Sequence, residues 1–417
     1  MLESEARKLG LYTKNSEMEP MMVADGELED LAAQILAKSA ALGARLPEAT
    51  QVSMRELLRI INSYYSNMIE GNSTHPVDIE RATRKDYSSD PAKRNRQIES
   101  VAHIDCQRQI EERLAREPNV AITSPDFLCW VHKIFYDQLP DELRWVRNEE
   151  TGKKLEVVGG EIRTADVRVG THVGPASFCL QAFLDRFHQR YGTQLHGVHP
   201  LITVAASHHR LMWIHPFMDG NGRVARLYTD ATFRRILPGY GIWNVSRGLA
   251  RNRDSYYNAL SHADAPRKGD LDGRGNLSRK GLEKFCRFFL EVCADQIEYM
   301  ESVLKLDGLL ERIKGYVTLR TLNIALPPSG IASASKMRPE AAHLLQEALL
   351  RGEVPRGEVA RITGLGDRVA RSLVSALLQE KLLVSPMPQG GLRLGFPIHA
   401  VEYYFPSLYP PTSGGPA

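Results

Sequence analysis

The sequence predicts a mainly α-helical protein with one short β-hairpin inside the helical part and a small helix-and-hairpin unit near the C-terminus. Two observations carry this reading. Apolar residues recur at i, i+3 and i+4 over most of the chain, the spacing that lines one face of a helix. β-Branched residues alternate with polar ones between glycines only at 160–170, and a second pair of short apolar runs flanks a Pro/Gly turn at 383–394. A third observation narrows the class: 53 Lys and Arg stand against 50 Asp and Glu, a net charge of +3, so no overall basic field argues for nucleic acid or membrane. At 417 residues the chain is long enough for two or three domains, each with its own core.

Taken in order, helical patterns cover 27–42, 54–70, 93–116, 124–138, 176–191 and 201–213. The stretch 223–235 has good helix formers and no interior Gly or Pro. From 279 to 300, Leu282, Phe285, Phe289, Val292, Gln296 and Ile297 keep a mostly apolar helical period. Residues 306–335 mix helix-like and Pro-Ser-Gly stretches, with Pro327-Pro328-Ser329-Gly330 as the clearest break. The five cysteines have no Cys-x-x-Cys pair and read as reduced thiols. The start of the chain has charges throughout and no apolar core, so no signal peptide is expected, and no run approaches the ~18 apolar residues of a membrane span. The cytoplasm is the expected location.

The chemistry concentrates in His215-Pro216-Phe217-Met218-Asp219-Gly220-Asn221-Gly222-Arg223-Val224-Ala225-Arg226. Gly220 and Gly222 let the backbone turn tightly and Asn221 tolerates turn geometry, so successive N–H groups can converge on an anion. The positive end of the following helix points at the same place. Arg223 and Arg226 lie three apart on one helix face, and two guanidinium forks match the oxygens of adjacent phosphates. Asp219 is a hard oxygen ligand suited to Mg²⁺. His215 can take a proton from an attacking hydroxyl, and Phe217 reads as an apolar anchor for the loop. No P-loop string occurs, and His208, His209 and His215 lack zinc-ligand spacing.

This string matches His-Pro-Phe-x-Asp/Glu-Gly-Asn-Gly/Lys-Arg-x-x-Arg and so resembles the signature of Fic-domain proteins. His199-Pro200 and His208 upstream, and Ser255-Tyr256-Tyr257-Asn258-Ala259-Leu260 downstream, extend the resemblance over roughly 93–300. It implies a Fic-type helical bundle that moves AMP from ATP, with Mg²⁺ at Asp219, onto Ser, Thr or Tyr hydroxyls of target proteins and of itself. His215 is then the base. Asp219, the Gly220-Asn221-Gly222 backbone, Arg223 and Arg226 hold the nucleotide, and Tyr256 and Tyr257 line the adenine pocket. Gly222 favours this over the kinase-like relatives that carry Lys there. UMP or phosphocholine transfer shares the same phosphate-handling loop.

Ser66 and Glu70 lie one turn apart on a helix face before Gly71. Read from the residues alone, this is a capped surface helix; by resemblance, Ser66-x-x-x-Glu70-Gly71 is an inhibitory helix in which Glu70 pairs with Arg226. The same carboxylate is suited to positioning water for AMP removal. The resemblance also makes 160–170 the flap that docks a target strand, with Val169, Gly170, Thr171 and His172 at the nucleotide. Asp264 departs from the pattern, standing where relatives often carry a nucleotide-contacting Asn.

Residues 337–405 resemble a winged helix: helices at 340–350, 356–363 and 367–378, then a wing at 383–394. Arg368 and Arg371 are the candidates to reach DNA. Nine Lys and Arg against seven Asp and Glu over 336–402 is a weak basic face. The expected layout is an N-terminal helical region at 1–92 with the inhibitory helix at about 54–72, a catalytic core at 93–303, a connecting segment at 304–335, a winged-helix-like domain at 336–405 and a disordered tail at 406–417. Packing, docking of targets and a homodimer are further roles open to the C-terminal unit. The alternative function is a winged-helix transcriptional regulator whose core senses nucleotide or is idle.

Overall fold

The computed structural model describes residues 3–72, 74–147, 152, 154–170, 172–193, 196–325 and 337–410. Its helices are α1 (Glu3–Lys8), α2 (Gly26–Gly43), α3 (Glu48–Ile69), α4 (Pro76–Thr83), α5 (Pro91–Arg116), α6 (Pro125–Tyr136), α7 (Leu180–Tyr191), α8 (His199–Ile214), α9 (Asn221–Ile236), α10 (Val245–Arg251), α11 (Arg253–Asp264), α12 (Arg279–Val303), α13 (Leu306–Thr321), α14 (Ala341–Arg351), α15 (Val359–Thr363), α16 (Asp367–Gln379) and α17 (Ile398–Tyr404). Strands among the described residues form three antiparallel pairs: β1 (Trp145–Arg147) with β2 (Lys154–Glu156), β3 (Arg168–Val169) with β4 (His172–Val173), and β5 (Leu383–Val384) with β6 (Arg393–Leu394). The mainly helical class read from the apolar period is the class found.

Local chemistry explains the helix starts. Asp90 accepts N–H bonds from Ala92 and Lys93 at 2.8 and 3.1 Å, and Pro91 follows it at the first helical position. Ser124 caps α6 through the Phe127 N–H, again with a proline next. At the centre lies α8, buried almost without interruption from Leu201 to Leu211, with α9 on one side and α12, α7 and α2 around it. A helix buried on all faces has little freedom to shift, so the loop leaving its C-terminal end is held on a rigid base.

Several expectations need correction. The helix expected at about 54–72 begins at Glu48, because Pro47 starts it and Thr50 already faces the core; Glu70 is its C-terminal cap and not part of the helix. The hairpin expected across 160–170 is displaced: only Arg168–Val169 pairs, and it pairs forward with His172–Val173. Residues 160–167 stay out of a ladder because Arg163 is drawn inward and bonds backbone carbonyls itself. Thr171 lies outside the described residues. The connecting segment contains a full helix, α13, which packs on α14 and α17, and the buried Arg320–Glu380 pair (2.6 and 2.9 Å) joins α13 to the residue capping α16. Order continues past Phe405: Leu408 and Tyr409 are buried, and Tyr65 of α3 donates to the Leu408 carbonyl at 2.9 Å. The expected Pro327-Pro328-Ser329-Gly330 break and residues 411–417 lie outside the described residues.

In the C-terminal unit, α14, α15 and α16 precede the β5–β6 hairpin, and Arg368 and Arg371 are exposed on α16. The hairpin and α17 lie against α3 and α4, so this unit backs onto the helix that ends at Glu70. No helix among the described residues is long and apolar enough to cross a membrane.

Candidate active site

The α8–α9 connection is built around two left-handed residues. His215 has φ 51° and ψ 59°, a conformation uncommon outside glycine, and closes α8 through its N–H to Leu211 O at 3.1 Å. Arg163 holds it there. The Arg163 Nε donates to the His215 carbonyl at 2.8 Å, Nη1 to Ala165 O at 2.8 Å and Nη2 to Pro175 O at 2.7 Å, which ties the segment around β3 and β4 to the loop. Gly220, at φ 78°, makes the second turn; a Cβ there would sit 2.8 Å from the Tyr136 ring. Asn221 closes the loop on itself, accepting from Phe217 N at 2.9 Å and donating to Phe217 O at 2.8 Å. Its side chain is thereby spent on the loop, and only its backbone can meet a ligand.

Phe217 is the anchor the sequence suggests. It is fully buried and stacks on His132 with centroids 4.0 Å apart, while His132 stacks in turn on Tyr136 at 4.4 Å. His132 accepts from Gly160 N at 2.8 Å through Nδ1 and donates from Nε2 to Asp219 O at 3.2 Å. Burial pushes its imidazole down to about 4, so it stays neutral, as those bonds require.

His215 itself presents one free nitrogen. Nδ1 faces Met212 O at 3.3 Å, so the N–H sits on that side and Nε2 is left as the acceptor. Burial, with the nearby His172 and Arg163, lowers its pKa to about 4. The neutral imidazole is therefore the form present at pH 7, the form a general base must have.

Among the described residues, no side chain caps the start of α9. The N–H groups that open a helix are unsatisfied by geometry, and this 16-residue helix aims them at the loop. The two arginines of its first turns, Arg223 and Arg226, are already occupied. Arg226 donates from Nε to Ser66 Oγ at 2.8 Å, and from Nη2 to Ser66 O at 3.0 Å and Glu70 Oε1 at 2.5 Å. Glu70 is steered by its neighbours: Arg253 Nε and Tyr257 OH donate to the Ile69 carbonyl at 2.9 and 3.1 Å, holding the end of α3. Gly222 is what lets Glu70 come so close, because a Cβ there would collide with Glu70 Oε1 and crowd Arg226 Nη1. Arg223 bonds Glu99 Oε1 at 2.7 Å and Asp219 Oδ2 at 3.1 Å, with its guanidinium over the Phe135 ring. Burial works against the Arg223 charge, but Tyr136, Asp219, Glu99 and Glu70 hold its pKa above the ordinary range.

Asp219 receives the Tyr136 hydroxyl at 2.7 Å on the same oxygen that Arg223 uses. Burial opposes its charge, yet Arg223, Tyr136 and the Gly220 N–H keep its carboxyl below the usual range. The side chain is 44% exposed, leaving the carboxylate a solvent-facing side. A single hard oxygen donor beside two arginines has the chemistry that suits Mg²⁺, which is commonly held by one carboxylate and substrate phosphates. No group of three or more His, Cys, Asp or Glu among the described residues could hold a metal ion.

The expected nucleotide contacts fare unevenly. Val169 is half exposed at the flap strand, next to Gly170 at φ 59°. His172 has both ring nitrogens engaged, with Asp264 Oδ2 at 3.0 Å and Trp213 O at 2.9 Å. Asp264 turns inward to His172 and His209 (3.2 Å), and although burial opposes its charge these bonds hold its carboxyl low. Tyr257 is 39% exposed beside Glu70, but Tyr256 is fully buried and donates to His208 Nε2 at 2.8 Å. Tyr256 is therefore a core residue, not a wall of the adenine pocket: the apolar face of α11 turns it inward. His208, bonded also to Thr229, is a satisfied core histidine.

Sequence reasoning missed Glu99, His132, Tyr136 and Arg163. Polar residues at helical spacing on an inward face, such as Gln97, Glu99, Ser100, His103 and Gln107 of α5, were the available signal.

Residues 122–232 match the Fic/DOC family. "Protein adenylyltransferase Fic" of Drosophila grimshawi is 28% identical over 165 residues, 39% of this chain and 32% of that protein. The protein of the same name from Drosophila yakuba is 35% identical over 117 residues, 28% of this chain and 22% of its own length. The matched segments thus span a third or less of these relatives. Among solved structures, a Fic family protein from Desulfovibrio desulfuricans G20 superposes with a TM-score of 0.52 at 17% identity, covering 90% of this chain and 98% of that one. At that identity the likeness concerns the fold.

Proposed function

We propose that this chain, whose residues 122–232 match the Fic/DOC family, is a protein adenylyltransferase that transfers AMP from ATP to protein hydroxyls and is restrained by Glu70. The observation that carries this reading is one arrangement: His215, with Nε2 free, stands beside an uncapped helix start bearing Arg223 and Arg226. The name shared by the Drosophila relatives supports the same chemistry.

In this mechanism the Asn221, Gly222 and Arg223 N–H groups and the Arg223 guanidinium bind the phosphates, and Arg226 grips the γ-phosphate once Glu70 lets go. Mg²⁺ on Asp219 would neutralise phosphate charge. The flap at Val169–Gly170 holds the target chain by strand-like contacts. His215 Nε2 takes the proton of a Ser, Thr or Tyr hydroxyl as its oxygen bonds to the α-phosphorus; the bond from that phosphorus to the bridging oxygen breaks, and pyrophosphate leaves with its electron pair. General-base help of this kind is worth ~10²–10⁴-fold. With Glu70 in place ATP binds in an unproductive pose, and the same carboxylate can orient water for AMP removal.

The test is to incubate wild-type, Glu70→Gly and His215→Ala proteins with Mg²⁺ and ATP and read intact mass. Added AMP in Glu70→Gly, little in wild type and none in His215→Ala is the expected pattern. ATP binding without added mass in any of the three overturns transfer. A second reading, a DNA-binding regulator, is favoured only by the exposed Arg368 and Arg371 on α16. It requires DNA binding that survives His215→Ala.

A further inference from the structure

Glu99 is a carboxylate in the wrong place for a surface helix. It lies on α5, 5% exposed, and its two oxygens serve two different masters. Oε1 takes Arg223 Nη1 at 2.7 Å, and Oε2 takes Asn72 Nδ2 at 3.2 Å. Asn72 belongs to the turn that ends the inhibitory segment, two residues after Glu70, and its own N–H bonds Asn67 O at 2.9 Å. One buried carboxylate therefore joins a phosphate-binding arginine of α9 to the turn that carries Glu70.

The charges make this pairing consequential. Arg223 and Arg226 bring two positive charges to the site, whereas Glu70, Glu99 and Asp219 bring three negative ones. Each arginine is matched to an acid from outside α9, Arg226 to Glu70 and Arg223 to Glu99. A nucleotide triphosphate needs those same donors and is repelled by those same acids. Burial outweighs the attraction of Arg223 and pushes the Glu99 carboxyl up from its ordinary value, so its environment does not favour the charge it carries. Such a group is expensive to retain for packing alone, since a buried ion pair can often be replaced by apolar side chains without loss.

We propose that Glu99 is a second brake on this site: it occupies Arg223 as Glu70 occupies Arg226, and through Asn72 it fastens the Glu70-Gly71-Asn72 turn to α5. The proposal rests on the reading of the site as nucleotide-binding and deepens it. Full release then requires two acids to let go, and any movement of the α3 end that frees Arg226 also breaks the Asn72–Glu99 bond. Glu99 is a positioning residue; it touches the inhibitory turn and an arginine, not the reacting atoms.

The experiment compares Glu99→Gln and Asn72→Ala, each in the wild-type chain and in Glu70→Gly. Binding of Mg²⁺ with the α,β-methylene analogue of ATP, whose α–β bridge cannot be cleaved, is read by calorimetry, and AMP transfer by intact mass. Glu99→Gln keeps the shape and removes the charge; tighter analogue binding, on the order of tenfold, is expected in both backgrounds. Asn72→Ala leaves the core untouched and should raise transfer in wild type but add nothing once Glu70 is gone. Unchanged or weaker analogue binding in Glu99→Gln overturns the proposal and makes Glu99 a support that Arg223 needs. If Glu99→Gln does not fold, the Asn72→Ala pair decides, and transfer unchanged in wild type counts against the brake. Should no variant transfer AMP, the transfer reading fails, while the calorimetry still judges Glu99.

Discussion

Arg226 of α9 and Glu70 at the end of α3 meet at 2.5 Å, with Arg226 only 1% exposed and Glu70 30% exposed. Ser66, one turn earlier, takes the remaining side of the guanidinium at 2.8 Å. The Arg226 guanidinium is therefore satisfied by side chains and backbone of the α3 end alone. If this pair disfavours the productive pose by ~3 kcal/mol, transfer falls roughly 150-fold. Glu70→Gly is expected to restore most of that factor, measured as AMP incorporated per minute; equal rates in the two proteins would sink autoinhibition.

The pH profile should report the unusual His215. With its imidazole lowered to about 4, the base is already neutral at pH 6. Transfer by Glu70→Gly is expected to be flat in the His215 limb between pH 6 and 8, and to fall only as acid protonates the ring. A limb with its midpoint near 6.5, the ordinary histidine value, would show that the buried environment is lost in the working state.

Arg163→Lys keeps the positive charge but cannot reach three carbonyls in a fixed fork. Freed from Arg163, the His215 backbone loses the partner that holds its left-handed turn. Transfer should drop on the order of 10- to 100-fold with nucleotide affinity little changed. A loss confined to nucleotide affinity would contradict this role.

Tyr136→Phe removes the hydroxyl that orients Asp219. Partners of this kind typically matter 10- to 100-fold for metal affinity or activity, so the Mg²⁺ concentration giving half-maximal transfer by Glu70→Gly should rise by about tenfold or more. An unshifted Mg²⁺ titration would detach Asp219 from metal binding.

Stability should weaken in mild acid. His103 and His208 are lowered to about 3, and His132, His215 and His399 to about 4, each chiefly by burial. Their folded pKa values lie below the unfolded value, so the unfolded chain binds more protons below about pH 6.5. The stability they support is complete above that pH and is lost progressively toward 4. Each such histidine is worth up to about 2 kcal/mol between pH 6.5 and 5. Urea midpoints at pH 7 and pH 5 check this, and equal midpoints would count against it.

Much of the fold was legible because helices announce themselves locally. The apolar period from Arg279 to Met300 and the helical patterns at 93–116 and 124–138 need no tertiary partner to be recognised. The flap was harder. Its alternation suggested pairing across 160–170, but Arg163 found better acceptors in the core, and the ladder formed between residues 168–169 and 172–173 instead. Tyr256 misled for a related reason: adjacent tyrosines point to different sides of a helix, and only packing decides which one is buried.

What the sequence by itself determined is the loop from His215 to Arg226 and the Ser66–Glu70 spacing. Their geometry depends on neighbours within one turn of chain: glycine conformations, i, i+3 and i, i+4 faces, and a helix start that exposes its own N–H groups. What only the tertiary structure decided is who satisfies those groups. Glu99 lies 124 residues from Arg223, His132 and Tyr136 lie 87 and 83 residues from Asp219, and Arg163 lies 52 residues from His215. A buried charge or N–H must be paired, but its partner is whichever polar atom the packing of α5, α6 and the flap root brings within about 3 Å, and no local pattern encodes that choice.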